Sequence, residues 1–252
     1  MAAESRQVLG ASLAGPLAGR VALVTGASSG IGQAIAAALS REGAHLCAVG
    51  RNPFTLAETV AAARQFSQAT GFQTDLTVEG ELQLLLQHLE EGGKLDILIH
   101  CAAIIHQSLM EQACIEDLDL QYAINVRAPY LLTQRLLPLL TAARGQIVFI
   151  NSSVGLTAKR PEVGQYAATK HALRAIADSL REELNPKGIR VLSVYLGRTA
   201  TPMQEALCRE EGKVYRPEML LQAEDVASLV VQMLMLPSTA EVTDISVRPR
   251  YR

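Results

Sequence analysis

Tyr166 and Lys170 lie four positions apart in the segment YAATK, within an alanine-rich stretch that has the pattern of a helix. Residues at positions i and i+4 share one face of a helix, so the two side chains are expected to project together. A free phenol has a pKa of about 10, and a neighbouring ammonium lowers the pKa of a tyrosine toward the range useful for proton transfer. The pair therefore indicates acid–base chemistry, with a solvated surface pair as the alternative.

Short apolar segments alternate with helical patterns along the chain. The predicted strands cover residues 20–25, 44–49, 72–74, 95–102, 145–151, 189–195 and 242–247. The predicted helices cover residues 31–43, a segment that begins at Pro53, 79–93, a long stretch that ends near Pro138, the segment with Tyr166 up to 185–188, and about 223–235. This alternation is typical of a parallel sheet with helices on both faces. We expect a single α/β domain with a doubly wound, Rossmann-type sheet over residues 19–252.

The composition excludes several classes of function. The net charge of −2 gives no electrostatic basis for binding nucleic acid or an anionic membrane. No apolar segment reaches the roughly 20 residues that a membrane span needs. The four cysteines are far apart and the five histidines do not join them, so we expect no metal site and favour a reducing, cytoplasmic location. Residues 1–18 are expected to form a loose tail, with an organelle presequence as the alternative.

A glycine-rich segment, TGASSGIG, covers residues 25–32 between the first predicted strand and the first predicted helix. Gly26, Gly30 and Gly32 permit a tight turn and a close approach of the backbone to a pyrophosphate, which would lie at the positive end of the helix. A dinucleotide site requires the turn at this place in the chain, and a purely structural turn is the alternative.

Four further segments follow in a characteristic order: DILIHCAA at 96–103, Asn125 in a helix, NSSVG at 151–155 and YAATK at 166–170. Together with the glycine spacing TGxxxGxG, they resemble the compact single-domain branch of the short-chain dehydrogenase/reductase family over about residues 19–248. The resemblance implies an oxidoreductase that transfers hydride between a nicotinamide cofactor and a carbonyl or secondary alcohol.

The resemblance also implies roles for individual residues. Tyr166 would act as the general acid/base, Lys170 would hold the nicotinamide ribose, and Ser153, thirteen residues before Tyr166, would hydrogen-bond the substrate oxygen. Ser152 is expected to have a backbone or packing role. Asn125 would hold a water linked to Lys170, or else serve as a buried amide that caps a helix kink. The cofactor-binding residues implied in this way are Gly26, Ser28, Ser29, Gly30, Ile31, Gly32, Arg51, Asp75, Leu76, Ala102, Asn125, Tyr166, Lys170, Gly197, Thr199 and Thr201.

The end of the second predicted strand indicates which nicotinamide cofactor is bound. An acidic residue at this place in dinucleotide folds binds the ribose 2′-hydroxyl of NAD. Here Gly50 stands in that place and Arg51 follows, and a guanidinium can pair with a phosphate. We therefore expect NADP(H) in preference to NAD(H), with an ordinary surface arginine as the alternative. Asp75 matches the family position that contacts the adenine amino group.

Three segments depart from the family pattern. The usual Asn-Asn-Ala-Gly is His-Cys-Ala-Ala at 100–103, and Leu196 replaces a proline. The frequent Val-Asp-Gly-Gly near the C-terminus is missing, so a homodimer is favoured and a tetramer is in doubt. Residues 199–222 form the longest irregular segment and are expected to be a substrate lid, whose apolar residues suggest a small, mainly apolar carbonyl substrate.

A catalytically silent sensor or scaffold that binds NADP(H) is the main alternative to an enzyme. The presence of Ser153, Tyr166 and Lys170 together argues against it, since a sensor need not keep all three. An epimerase or dehydratase of the family's longer branch is disfavoured, because that branch has a different glycine spacing and a larger C-terminal substrate region.

Overall fold

The computed structural model describes residues 15–250, in which strands and helices alternate as predicted. The strands are β1 (Val21–Thr25), β2 (His45–Gly50), β3 (Ala69–Gln73), β4 (Ile97–His100), β5 (Gln146–Ser152), β6 (Arg190–Leu196) and β7 (Asp244–Val247). The α-helices are α1 (Gly30–Arg41), α2 (Pro53–Ala63), α3 (Glu79–Gly92), α4 (Ile115–Tyr122), α5 (Ala128–Ala143), α6 (Gly164–Leu184), α7 (Pro202–Glu210) and α8 (Ala223–Leu234). None of the helices within residues 15–250 is both long and apolar enough to cross a membrane.

The described strands form one parallel sheet in the order β3-β2-β1-β4-β5-β6-β7. Alternate residues point to two hydrophobic cores: Val148 and Ile150 of β5 face the core with α1 and α8, whereas Ile147 and Phe149 face the core with α3, α5 and α6. The predicted doubly wound fold is confirmed. Because the strand order reverses between β1 and β4, a crevice forms at the carboxyl ends of these strands.

Helix α2 begins as its sequence predicts. Pro53 lies in the first turn, and the Asn52 side chain accepts hydrogen bonds from the backbone N–H groups of Phe54 at 3.0 Å and Thr55 at 3.2 Å. These bonds satisfy two of the free donors at the helix N-terminus. The cap thereby holds the residues just after β2 at the edge of the sheet.

The predicted end of the long helical stretch near Pro138 is wrong. Helix α5 continues through Pro138 to Ala143, and Arg144 then adopts a left-handed conformation with a φ of 46°. A proline inside a helix removes one backbone hydrogen bond and costs about 3 kcal/mol. Leu136 and Leu140, on either side of Pro138, are fully buried, and the packing of this helix face outweighs the cost.

Residues 199–222 are not the irregular segment that the sequence predicts. They contain α7, which Thr201 caps by accepting a hydrogen bond from the backbone N–H of Gln204 at 3.2 Å. A β-bridge between Thr199 and Leu221 joins the two ends of the segment. The segment is therefore a closed helical unit, and its role as a substrate lid stays a prediction.

The predicted tail of residues 1–18 overlaps the described part of the chain only at its end, and residues 1–14 lie outside it. Residues 15–18 pack against the end of α1. The backbone N–H of Leu17 donates to the Glu42 carbonyl at 2.9 Å, and the Leu17 side chain is buried. A loose tail is therefore wrong for residues 15–18, because Leu17 belongs to the hydrophobic core.

Candidate active site

The glycine-rich turn between β1 and α1 leaves room for a phosphate. Gly26 and Gly30 have positive φ angles of 69° and 54°, and a Cβ atom at Gly26 would lie 2.9 Å from the Ala102 backbone. A Cβ atom at Gly32 would press against the Gly26 carbonyl. Ser29 precedes α1, and within the described residues its side chain makes no capping hydrogen bond, so the first N–H groups of α1 point outward without a side-chain acceptor. Such a helix N-terminus binds anions, which fits a dinucleotide pyrophosphate.

The turn opens into a cleft of about 510 Å³. The predicted cofactor residues in its wall are Gly26, Ser28, Ser29, Gly30, Ile31, Gly32, Arg51, Asp75, Leu76, Ala102 and Thr201. The predicted residues outside this wall are Asn125, Tyr166, Lys170, Gly197 and Thr199. Residues that the sequence reasoning missed also line it: Val49, Asn52, Thr55, Thr74, Cys101, Ala103, Ile104, Ile124, Pro202 and Met203. Ligands of parallel sheets bind at the carboxyl ends of the strands, so the lining residues at the ends of β2, β3 and β4 could have been predicted from their place in the sequence.

One end of the cleft carries the oppositely charged residues Arg51 and Asp75. The Asp75 carboxylate accepts hydrogen bonds from the Thr77 backbone N–H at 2.9 Å and the Thr77 hydroxyl at 2.7 Å. Burial raises the pKa of Asp75, but these hydrogen bonds and the Arg51 charge outweigh burial and hold the pKa below its ordinary value. Arg51 is exposed, so its guanidinium is accessible from the cleft.

Tyr166 and Lys170 share one face of α6, next to the carboxyl end of β5. The Lys170 ammonium lies 5.6 Å from the centre of the Tyr166 ring and donates a hydrogen bond to the Ile150 carbonyl at 3.2 Å. Lys170 is buried and Tyr166 is partly buried. The Ser152 side chain lies close enough to that of Tyr166 to lower the pKa of the phenol. A phenol, an ammonium and a hydroxyl therefore meet at one point, an arrangement that suits general acid–base chemistry.

The expectation that Lys170 lowers the pKa of Tyr166 is not met. Burial raises the pKa of Tyr166 to about 12, against the opposing effect of the Ser152 side chain. Burial also lowers the pKa of Lys170 to about 8. The cost of burying a phenolate dominates the pKa of Tyr166, so Tyr166 is a protonated donor near neutral pH.

Ser152 is the serine that influences the Tyr166 pKa, and the predicted substrate-binding role of Ser153 stays a prediction. Ser152 is the last residue of β5, where it pairs with Leu196 of β6, and its side chain reaches Tyr166. Ser153 begins a short 3₁₀ turn and is exposed. The predicted strand, residues 145–151, ends one residue before β5 does. The predicted role of Ser153 depends on its spacing to Tyr166, and the length of the loop between these two residues is not set by any local rule.

Asn125 lies in a π-helical turn, Ala123–Arg127, between α4 and α5. Its amide oxygen accepts from the Ile104 backbone N–H at 2.9 Å, and its amide nitrogen donates to the Ile104 carbonyl at 2.9 Å and the Thr169 hydroxyl at 3.1 Å. These bonds join the segment after β4 and helix α6 to the π-helical turn. The geometry agrees with the alternative of a buried amide at a helix kink, and the water-holding role stays a prediction.

The chain has clear relatives among known proteins. Residues 20–212 match the family model of the short chain dehydrogenases. The chain belongs to this family. An uncharacterized oxidoreductase of Staphylococcus epidermidis is 34% identical over 232 residues, which cover 91% of this chain and 97% of the relative.

Solved structures of other dehydrogenases share the fold. A dehydrogenase/reductase from Sinorhizobium meliloti has 30% identity and a TM-score of 0.80, over 92% of this chain and 94% of its own. A short chain dehydrogenase from Burkholderia cenocepacia, solved in complex with NADP, has 28% identity and a TM-score of 0.81, over 92% of this chain and 97% of its own. The architecture of this chain is therefore that of its family.

His100 and Cys101 stand where the family pattern has two asparagines. The Nε2 atom of His100 lies 2.8 Å from the Thr133 hydroxyl oxygen, and its ring stacks on Phe149 with the ring centres 4.9 Å apart. Burial lowers the pKa of His100 to about 3, so the ring is neutral near pH 7. His100 is therefore a core residue, whereas Cys101 lines the cleft.

Three predicted cofactor residues follow β6. The Gly197 backbone N–H donates to the Val247 carbonyl at 2.8 Å, and the hydroxyl of the buried Thr199 donates to the Gly197 carbonyl at 3.2 Å. Thr201 lines the cleft, where its Cγ2 atom would lie 3.1 Å from a Cβ atom at Gly30. Thr201 thus faces the cleft, and the roles of Gly197 and Thr199 stay predictions.

A charge cluster that the sequence reasoning missed connects α7 to the rest of the domain. Glu211, just after α7, accepts hydrogen bonds from Arg198 at 2.9 and 3.0 Å, Arg160 at 3.0 Å and Lys213 at 2.7 Å. Burial raises the pKa of Glu211, but the hydrogen bonds from these three cations outweigh burial and lower the pKa to about 2. Because the partners come from three separate segments, no local sequence pattern marks the cluster.

Proposed function

We propose that this protein is an NADP(H)-dependent oxidoreductase that transfers hydride between the nicotinamide and a carbonyl or secondary alcohol substrate. The observation that carries the proposal is the meeting of Tyr166, Lys170 and Ser152 at the carboxyl end of β5. Ligands of doubly wound sheets bind at this edge, where the glycine-rich cleft also lies. The complex of the Burkholderia cenocepacia relative with NADP supports the same cofactor here.

The residues of the cleft fit a 2′-phosphorylated dinucleotide. Gly26 and the first N–H groups of α1 would hold the pyrophosphate, since a side chain at Gly26 would strike the Ala102 backbone. Arg51 would pair with the 2′-phosphate, and Asp75 would contact the adenine amino group. When bound, this cofactor supplies or accepts the hydride.

The protein's own part in the reaction is to hold and move one proton. In reduction, Tyr166 donates its phenolic proton to the substrate oxygen, which the Ser152 hydroxyl holds by a hydrogen bond. The Lys170 ammonium, 5.6 Å from the centre of the Tyr166 ring, stabilises the phenolate that remains. In oxidation the same groups act in reverse, with Tyr166 as the base.

We also propose a homodimer that works in a reducing, cytoplasmic compartment. Helices α4 and α5 expose the side chains of Ile115, Leu120, Tyr122 and Tyr130, and a second copy would remove this apolar area from water. All four cysteines are free thiols, as is usual in a reducing compartment.

Met203, exposed at the wall of the cleft, supports a small, mainly apolar carbonyl substrate.

The proposed reaction is tested by mixing the purified protein with NADPH and a panel of aldehydes and ketones, and following the absorbance of the reduced cofactor. Tyr166→Phe is expected to abolish turnover with NADPH affinity kept, whereas the control Tyr130→Phe keeps both, because it removes only a hydroxyl and retains the apolar ring that a dimer would cover. Tight NADPH binding without turnover on a broad panel would contradict the enzyme and favour the silent sensor. For the cofactor, Arg51→Ala is expected to weaken binding of NADPH but not of NADH.

A further inference from the structure

Gln121 is the only buried residue of α4, a helix that lies wholly within the described part of the chain. Burying an amide costs free energy unless its donor and its acceptor both find partners. The Gln121 amide oxygen accepts from the His106 backbone N–H at 3.0 Å, and its nitrogen donates to the Gln165 side-chain oxygen at 3.2 Å. Gln121 therefore joins the segment after β4 to the first turn of α6.

The hydrogen bonds continue through Gln165 and return to the same segment. The Gln165 amide nitrogen donates to the Cys114 backbone carbonyl at 2.9 Å. Two side chains thus connect the backbone N–H of His106 to the backbone carbonyl of Cys114 and close the loop between them. We call the two side chains the glutamine bridge and residues 106–114 the bridged loop.

The two ends of the glutamine bridge fix the orientation of both amides. A backbone carbonyl only accepts hydrogen bonds, so Gln165 presents its nitrogen to Cys114 and its oxygen to Gln121. A backbone N–H only donates, so Gln121 presents its oxygen to His106 and its nitrogen to Gln165. All three bonds run in one direction, and a carboxylate, which only accepts, cannot take the place of either amide without the loss of a bond.

The bridged loop lies beside the proposed proton donor. Gln165 immediately precedes Tyr166 in α6. The Ser108 backbone N–H donates to the Glu162 carbonyl at 2.9 Å, so the loop is also bonded to the segment that leads into α6. Near its tip the loop exposes the apolar side chain of Met110. The loop is thus placed to cover an apolar substrate next to Tyr166.

We propose that Gln121 and Gln165 are positioning residues, which hold the bridged loop beside Tyr166 and thereby set the affinity for the carbonyl substrate. Both act through the loop rather than on the reacting atoms. The cofactor cleft is held separately, because Asn125 bonds the backbone of Ile104 at the wall of the cleft. The proposal rests on the proposed function, but amide hydrogen exchange in the bridged loop reports on the glutamine bridge without turnover.

The first test is Gln121→Leu, which keeps a side chain of similar size and removes both hydrogen bonds. KM for the carbonyl compound that the panel identifies as the best substrate is expected to rise by roughly tenfold, with kcat and NADPH affinity changed by less than about threefold. Hydrogen exchange of the ligand-free protein, followed by mass spectrometry, should show faster exchange of the His106 backbone N–H. Gln112→Glu is the control, because Gln112 is exposed in the same loop.

Gln121→Glu tests the direction of the hydrogen bonds. A carboxylate at this position accepts from His106 but cannot donate to Gln165, so at about pH 8 KM should rise at least as much as in Gln121→Leu. A protonated carboxyl group both accepts and donates, and burial raises the pKa of such a group. At about pH 5.5 the ratio of its KM to that of the unmodified protein should therefore return to within about threefold of one.

Other groups near the glutamine bridge also titrate, and the unmodified protein is the reference for them at each pH. His106 pairs with Asp117 at 3.6 Å, and the Cys114 thiol donates to the Glu116 carboxylate at 2.6 Å. The titratable groups near the bridge are His106, Cys114, Glu116, Asp117, Glu162 and Tyr166. Because every variant retains them, a change in the KM ratio with pH isolates residue 121.

Three results would overturn the proposal: unchanged hydrogen exchange in Gln121→Leu, faster exchange with an unchanged KM, or a KM ratio of Gln121→Glu that does not depend on pH. Gln165→Leu breaks the same bridge at a partly buried position, so it replaces Gln121→Leu if thermal unfolding shows that the latter does not fold. Absence of turnover on the whole panel would refute the proposed function and the effect on substrate affinity together. Faster exchange would in that case still show that the glutamine bridge holds the loop, so the two failures are distinguishable.

Discussion

Replacing Ser152 by alanine removes the hydroxyl that contacts Tyr166 and keeps the strand that carries it. Ser152 ends β5 and pairs through its backbone with Leu196, which alanine leaves unchanged. The hydroxyl also accepts from the Val154 backbone N–H, but at 3.4 Å this is a weak contact. The substitution therefore tests the part of the side chain in the reaction rather than in the fold.

The expected loss follows from where the hydroxyl acts. It would hold the substrate oxygen, on which negative charge develops during carbonyl reduction, and removing one such donor lowers kcat by about 10²–10³-fold, or about 3–4 kcal/mol. The Ser152 side chain also opposes the burial that raises the pKa of Tyr166 to about 12. We therefore expect kcat of Ser152→Ala to fall by about 10²–10³-fold and the alkaline limb of its pH profile to move to higher pH.

Steady-state kinetics with NADPH and a saturating carbonyl substrate measure this loss, with Ser153→Ala as the matched control. Ser153 is exposed, so its substitution is expected to change kcat by less than about threefold. Equal NADPH affinities of the three proteins would show that the cofactor site is intact. A large loss in Ser153→Ala with a small one in Ser152→Ala would refute the assignment.

Three further substitutions test other parts of the structure. Burial holds the His100 pKa at about 3, below its ordinary value of 6.5. Between pH 3 and 6.5 the histidine is therefore protonated in the unfolded chain but neutral in the folded protein. The free energy of unfolding consequently falls by up to about 1.4 kcal/mol for each unit by which the pH decreases in this range. Acid unfolding of His100→Asn, followed by circular dichroism, should lack this part of the slope, and an unchanged slope would contradict the burial argument. Glu211→Gln weakens the charged bonds to Arg198 and should lower the free energy of unfolding by about 1–3 kcal/mol and raise KM; unchanged values of both would exclude a role in holding α7. Pro138→Ala restores a helical hydrogen bond at an exposed position and should raise the free energy of unfolding by about 1 kcal/mol or more in urea, whereas a loss would show that the proline itself is packed favourably.

The fold was predictable from local patterns because each pattern has a local cause. Parallel strands covered on both faces are continuous apolar segments, and their alternation with helices leaves few topologies. Tyr166 and Lys170 could be paired from their spacing, since one turn of helix sets that geometry. Gly26 and Gly30 could be placed in a turn because their positive φ angles, 69° and 54°, favour glycine.

Helix α7 shows where this reasoning stops. The helix has only nine residues, and a segment of this length is marginal by itself. The cap by Thr201 and the bonds of Glu211 to Arg160 and Arg198 stabilise it in the folded protein. Two of these bonds connect residues far apart in the sequence, so the helix depends on the folded domain.

The sequence by itself determined the succession of strands and helices, the glycine-rich turn and the shared face of Tyr166 and Lys170. Only the tertiary structure decided that Ser152 lies close enough to Tyr166 to influence its pKa, and that Ser28 fills the space beside Gly50. The features that the sequence determined depend on residues that are neighbours within one turn of helix or along one strand. The two features that the tertiary structure decided depend on where β5 ends against α6 and on how closely β2 approaches the glycine-rich turn. The packing of the whole sheet sets both of these distances.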